Sequence, residues 1–335
     1  RAGVALQLTG YNLETGITVH VGAQIQEAGS CVMPARLFFD IVRKLPDEMV
    51  SITVDHKQQV SIRAGAAFFQ ITAMDSEDYP ELPDVNGKSG VTMPQSALKA
   101  MISGTIFSVS ENQARPIQTG CLMEVTEDSV TMVAVDSFRL ARRTWHTENA
   151  ANHTLKFVVP AAGLKEIERI LEDSDEPVTF TLGDKHILFS IGDALLVSRV
   201  LEGEFIDWRR VVPTNCGTVL TANVAELTSS IERVSLIISE KVKSPVRCVF
   251  GDNMADFRTA NTIGSAHDTC SIAGNGGELE IGFNSRYLLD ALRVIPSEEV
   301  TLELQNGLSP IVFTPCDKKY DFAYMVLPVR LRSNS

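Results

Sequence analysis

PARLFFDIVRKLP, residues Pro34 to Pro46, returns twice in altered form: as PAAGLKEIERILE from Pro160 and as NSRYLLDALRVIP from Asn284. The starts lie 126 and 124 residues apart. The same chemistry recurs in register. Phe38, Leu164 and Leu288 are apolar, and Asp40, Glu166 and Asp290 are acidic. Arg43, Arg169 and Arg293 are basic, and Leu45, Leu171 and Ile295 are apolar again. Apolar residues at helical spacing predict three amphipathic helices of about three turns each. Pro or Asn at the head of each is a helix-start signal.

A second helix type flanks them. LKAMISGTIFSVSEN starts at Leu98 and LTSSIERVSLIISEK at Leu227, 129 residues apart, and both end in Ser-Glu, at Ser110-Glu111 and Ser239-Glu240. Between the helices, VSITVDHKQQVSIRAGAAFFQITAM, VTFTLGDKHILFSIGDALLVSRVL and VTLELQNGLSPIVFTPCDKKYDFAYMVL each read as three strands joined by two turns. A period of about 125 residues is too long for a solenoid repeat. The expected architecture is therefore α+β: three copies of one domain, over 1–89, 90–216 and 217–331, with a short tail at 332–335. A third copy of the second helix would fall before Arg1. About the first 35 residues of a complete first unit, its first helix and strand, are thus expected to be missing from this sequence.

The 335 residues are 44% hydrophobic and 21% charged, enough apolar material for two or three cores. No apolar run reaches the roughly eighteen residues of a membrane span, and the N-terminus lacks the core of a secretion signal. Six cysteines, Cys31, Cys121, Cys216, Cys248, Cys270 and Cys316, are scattered without any C-x-x-C, which points to free thiols in a reducing cytosol. The six histidines stand at no metal-ligand spacing, so neither metal nor cofactor is expected. The net charge of −12 argues against a protein basic all over, but not against a local basic surface.

The repeat extends to a turn. Asn12, Asp136 and Asn261 are 124 and 125 residues apart, and each follows an apolar strand, where Asn or Asp suits the turn. The copies then diverge as NLETG, DSFRLARR and NTIGSAHD. The turn belongs to the architecture, and Phe138-Arg139-Leu140 is an addition to it.

At this point the chain resembles the bacterial DNA polymerase III beta subunits, the sliding clamps. The resemblance rests on V-D-S-F-R-L-A at Val135 to Ala141, Y-M-V-L-P-V-R-L at Tyr324 to Leu331, FFDI near Phe38, FIDWRRVVP from Phe205 and EIGFNSRYLLDAL from Glu280. It implies half of a six-domain ring, closed by a head-to-tail homodimer. Helices would line a hole around duplex DNA, contacted without regard to sequence, and antiparallel sheets would lie outside. It implies a cytoplasmic, nucleoid-associated processivity factor that catalyses nothing. Its partners would be the replicative polymerase alpha subunit, the clamp loader, repair polymerases and mismatch-repair proteins, with no membrane.

The resemblance also assigns residues. A cleft for short apolar-ended peptides would take Val135, Ser137, Phe138, Arg139 and Leu140 from the turn, and Ile206, Arg210 and Val211 from FIDWRRVV. Asn284, Tyr287 and Pro310 would join it, with Met325, Leu327, Pro328, Val329 and Arg330 from the terminal strand. Exposed Leu, Val and Met would form an apolar pocket, and arginines would bond the peptide on the rim. Arg36, Lys99, Arg115, Lys165 and Arg169 would face DNA. Phe69 and Ile71 would pair with Ile237 and Ile238 of a second copy. Three positions depart from the family pattern: Ser137-Phe138 stands for Gly-His, Ile206 for Pro, and Ala161-Ala162 for a basic pair.

Two other classes compete. An enzyme would need a nucleophile elbow, a phosphate loop or a zincin motif, and none is present. A monomeric reader of DNA sequence would use FRLARR as a recognition helix over Phe138 to Trp145, whereas the alternation of Phe138 and Leu140 predicts a strand.

Overall fold

The computed structural model describes residues 5–46, 48–86, 90–148, 154–238 and 244–331. The first unit contains strands β1 (Ala5–Tyr11) and β2 (Thr15–Gly22), helix α1 (Ala35–Val42), and strands β3 (Ser51–Val54), β4 (Gln59–Ala64) and β5 (Ala67–Thr72). The middle unit begins with β6 (Gly90–Pro94), α2 (Gln95–Ser103), β7 (Gly120–Val125), β8 (Ser129–Val135) and β9 (Arg139–His146). It ends with β10 (Leu155–Pro160), α3 (Ala161–Ile170), β11 (Pro177–Leu182), β12 (His186–Ile191) and β13 (Ala194–Arg199). The last unit is β14 (Thr218–Asn223), α4 (Val224–Ser235), β15 (Val246–Ala260), β16 (Ser265–Phe283), α5 (Ser285–Leu292), β17 (Glu299–Leu304), β18 (Ile311–Pro315) and β19 (Phe322–Val326). This is an α+β chain of three sheet-rich units.

The repeat helices begin where the sequence places them, with Pro34, Pro160 and Asn284 as N-caps of α1, α3 and α5. The second helix type is shorter than its pattern. α2 stops at Ser103, and Gly104, its C-cap, has room for no more than a hydrogen. A Cβ at Gly104 would stand 2.9 Å from the Ala100 carbonyl and 3.0 Å from both Arg143 and the Tyr324 hydroxyl. Arg143 Nη1 donates at 3.0 Å to the Ala100 carbonyl, which also accepts the Gly104 N–H. A 3-10 turn, Ile106–Ser108, follows. α4 ends at Ser235, and the expected Ser239-Glu240 ending lies outside the described residues, as do residues 87–89 and the tail 332–335.

Separate cores support the units. The middle one gathers Leu98, Met101, Ile102, Leu164, Ile167, Phe180 and Phe189, among others, and the last gathers Leu227, Ile231, Phe250, Phe257, Leu288 and Leu292. The first is small: Ile41, Val60, Ile62 and Ala73. In the middle and last units two helices pack together, α2 on α3 and α4 on α5. Among the described residues α1 has no such partner, and Leu37, Phe39 and Val42 stay exposed on it.

Sheets run across the unit boundaries. β2 joins β13 over Thr15–Val19, with Thr15 opposite Ser198 and Val19 opposite Ala194. β9 joins β19 over Arg139–Arg143, with Arg139 opposite Val326 and Arg143 opposite Phe322. Thr15 and Arg139 each stand three residues after their turn residue, Asn12 and Asp136. The two junctions therefore share one register. Period-two alternation makes that register hard to slip, because a shift of one residue would turn Leu140 or Leu196 to the opposite face.

Candidate functional site

The turn before β9 builds the site. Asp136 Oδ1 accepts the backbone N–H groups of Phe138 at 2.7 Å and Arg139 at 2.9 Å. Asn12 does the same for Glu14 and Thr15, and Asn261 for Ile263 and Gly264. One side-chain turn thus serves all three copies, as the spacing predicts. In the middle copy the carboxylate also holds Arg139 Nε at 3.0 Å through Oδ2.

Arg139 is 9% exposed and reaches across to α5, where Nη1 donates to Asp290 at 2.6 Å. Its guanidinium lies 4.6 Å from the Tyr287 ring centroid and 5.6 Å from that of Phe107. Phe138, 54% exposed, stacks on Tyr287 with centroids 5.8 Å apart. The Leu327 N–H donates to the Phe138 carbonyl at 2.8 Å, which fixes the terminal segment against the turn. Lower in the junction Arg142 pairs with Asp321 at 2.6 Å, and His146 stands 2.8 Å from the same carboxylate. Burial raises the Asp321 pKa, but Arg142 and His146 outweigh it and hold the group below its ordinary value.

Beneath the turn lies an apolar cluster shared by the middle and last units. Leu122, Val133, Val135, Leu140, Val158, Phe205, Val312, Ala323 and Met325 are buried in it. Ile117, Leu201, Ile206, Trp208, Val212 and Leu327 pack on it while partly exposed. Of the residues assigned by resemblance, Val135, Leu140, Ile206, Met325 and Leu327 come together here.

The expectation of an exposed Leu, Val and Met pocket needs correction. Leu140 is 1% exposed, Met325 3% and Val135 4%, because paired strands bury the cluster floor from both sides. The accessible apolar groups are Phe138, Val211 and Val329 around it, with Ile206 and Leu327 half-buried. Arg139 is likewise committed to Asp136 and Asp290, so the exposed rim cations are Arg210 and Arg330. Asn284 caps α5, Pro310 precedes β18, and Ser137 and Pro328 border the turn and terminal segment. The sequence reading missed Ile117, Phe205, Trp208 and Val212. Ile117 follows a Pro in a loop without periodicity and carried no signal.

The other assigned residues are dispersed. Arg36, Lys165 and Arg169 are exposed on α1 and α3, and Arg169 pairs with Glu166 at 2.7 Å. Lys99 is half-buried, with Nζ donating to the Leu171 carbonyl, so it ties α2 to the end of α3. Arg115 is exposed on the loop two residues before Ile117, beside the apolar cluster and off the α-helices. Phe69 and Ile71 are half-buried on β5, the last strand of its three-stranded sheet. Ile238 packs partly on the last core, whereas Leu236, just after α4, is 83% exposed.

Residues 139–146 form strand β9, which excludes FRLARR as a recognition helix. Among the described residues no three His, Cys, Asp or Glu side chains gather as a metal site, and no helix is long and apolar enough to cross a membrane. Burial pushes the Cys121 thiol up to about 12 and Cys270 to about 11, values suited to packing rather than nucleophilic chemistry.

Comparison with known proteins gives one consistent match. Residues 2–83, 92–207 and 209–330 match the family models of the N-terminal, central and C-terminal domains of the DNA polymerase III beta subunit. The beta sliding clamps of Staphylococcus epidermidis and Staphylococcus aureus are 30% identical over 333 residues, covering 96% of this chain and 88% of theirs. The crystal structure of the Pseudomonas aeruginosa DNA polymerase III subunit beta superposes with a TM-score of 0.91 at 30% identity, covering 98% of this chain and 91% of that one. The Bacillus subtilis DNA polymerase sliding clamp gives 0.91 at 29%, covering 98% and 89%.

Proposed function

The chain belongs to the DNA polymerase III beta subunit family, the bacterial sliding clamps, and from that premise we propose that two copies close head to tail by repeating the chain's own internal junctions. As a family member it is a non-catalytic processivity factor that acts with DNA and the polymerase.

The observation that carries the closure is a third set of junction surfaces left open. At one end, Ser265–Ser271 of β16 follows the Asn261 turn and is paired only by β15 among the described residues. At the other, β5 is paired only by β4 among the described residues. Hairpins with Gly65 and Gly192 at positive φ align β5 with β13. Carrying over the shared register sets Phe69 of one copy opposite Ala266 of the other, and Phe68 opposite His267. Side chains agree with this. Phe107 of the middle unit reaches into the last core, 5.6 Å from Tyr324, and its counterpart 129 residues on is the exposed Leu236. Phe138 stacks on Tyr287, and their counterparts Ile263 and Leu37 are both exposed. Closure would bury all three exposed counterparts and pair both open edges, which are otherwise a hazard.

In the closed ring the helix faces bearing Arg36, Lys165 and Arg169 look toward duplex DNA, and their contacts go to phosphate. Sparse cations suit a ring that slides, because encirclement supplies retention. The cleft over Leu140 and Met325 receives apolar-ended peptides from the polymerase alpha subunit, the clamp loader, repair polymerases and mismatch-repair proteins, beside the nucleoid in the cytoplasm. Sedimentation tests closure. Wild type should run at twice the chain mass and Leu236→Glu at the single mass with unchanged circular dichroism; a Leu236→Glu dimer as tight as wild type would refute the interface. A polymerase C-terminal peptide tests the cleft, where Leu327→Ala should bind at least tenfold more weakly.

A further inference from the structure

We propose that Glu124, outside the cleft, is its positioning residue: it fastens the linker between the middle and last units, so that Ile206, Arg210 and Val211 stand as one wall. The inference rests on the peptide-cleft reading above.

Glu124 sits one residue from the end of β7, two residues from Leu122, so its side chain shares the face that bears the apolar cluster. It is 7% exposed. A buried carboxylate is costly unless its oxygens are satisfied, and most strand positions avoid one. Here the donors come from the linker. Trp208 Nε1 donates to Oε2 at 3.2 Å, and Arg209 Nη2 to the same oxygen at 2.8 Å. Arg209 Nη1 reaches Oε1 at 3.4 Å, and Lys156 Nζ on β10 stands 3.6 Å from it. Burial raises the pKa of Glu124, but bonds from Arg209 and Trp208 and the charges of Arg209 and Lys156 bring it below its ordinary value. The carboxylate is therefore ionised at neutral pH.

The linker needs this anchor. Its start is tied by the Leu201 N–H to the Val158 carbonyl. Beyond that it stands away from β10 over a pocket of about 470 Å³, lined among others by Phe157, Leu201, Gly203, Glu204 and Phe205. Phe205 then enters the cluster, and the 3-10 turn Trp208–Arg210 follows. The Trp208 ring is flanked by Arg209 at 4.3 Å and Arg142 at 5.8 Å. The N–H groups of Val211 and Val212 both bond the Trp208 carbonyl. Fixing Trp208 thus fixes Ile206 on one side and Arg210 and Val211 on the other. A pre-ordered wall spares the ordering cost that a loose one would add to peptide binding.

The chain has two tryptophans, so Trp145→Phe leaves Trp208 as the sole reporter. In that background the C-terminal peptide of the replicative polymerase is titrated against the parent, Glu124→Met, Glu124→Gln, Arg209→Gln and Leu327→Ala. Glu124→Met should weaken binding at least tenfold, mainly through faster dissociation, and shift Trp208 emission to the red. Glu124→Gln, which keeps an acceptor for Trp208 Nε1, should fall between it and the parent. Arg209→Gln alters a half-exposed side chain without touching the core, and should weaken binding severalfold even if Glu124→Met folds poorly. Dimer mass should not change in any of them. If Leu327→Ala weakens binding while Glu124→Met and Arg209→Gln bind within twofold of the parent, the positioning role is overturned and the cleft stands. If Leu327→Ala also binds like the parent, the cleft reading itself fails.

Discussion

Arg139 shows how one residue can join two units. Its side chain is buried, held by Asp136 on its own turn and by Asp290 on α5. Removing one member of a buried ion pair leaves the other uncompensated, which costs about 3 kcal/mol. Arg139→Met should therefore lower stability by about that amount in urea unfolding, while Arg210→Met on the exposed rim should change it little. The junction carboxylates also set its acid limit. Glu124 and Asp321 have folded pKa values below their ordinary 4.5 and 3.8. Such groups bind fewer protons in the folded state, so their stabilisation is complete above those ordinary values and is lost as pH falls through the folded ones. The stabilisation from these two carboxylates should be flat from pH 7 to about 5 and fall below about 4.5. Glu124→Gln should flatten the upper part of that fall, as acid titration followed by circular dichroism would show.

At the scale of elements, the turn, the strand after it and the paired helix recur as one device. Asn12, Asp136 and Asn261 were readable because a short side chain bonding its own backbone leaves a fixed mark in sequence. The helix starts were readable for a similar reason, since Pro34, Pro160 and Asn284 precede a 3.6-residue apolar rhythm. Helix ends were not. α2 is capped by Gly104, on which Arg143 and Tyr324, distant in sequence, close. No local pattern encodes that contact. Gly104→Ala should force those groups apart and cost about 1–3 kcal/mol, measurable as a lowered unfolding midpoint. The candidate cleft was legible only in part for the same reason. Leu140 and Met325 are found by motif, but that strand pairing buries them, and that Ile117 and Trp208 complete the cluster, depends on tertiary packing.

At the scale of the molecule, the chain is acidic overall, with a net charge of −12, yet belongs to proteins that act on DNA. Encirclement reconciles the two, because a closed ring needs no strong attraction to stay on its track. Contacts through Arg36, Lys165 and Arg169 would be few, so direct binding to linear duplex should be weak and should fade as salt rises. Topological retention has no such dependence. The most direct measurement loads the protein with a bacterial clamp loader onto nicked circular plasmid, raises the salt, and follows co-elution with DNA before and after a single restriction cut. Encirclement predicts retention on the circle at high salt and release once the ends are free. Equal retention on circle and cut linear DNA, or loss from both on adding salt, would contradict it.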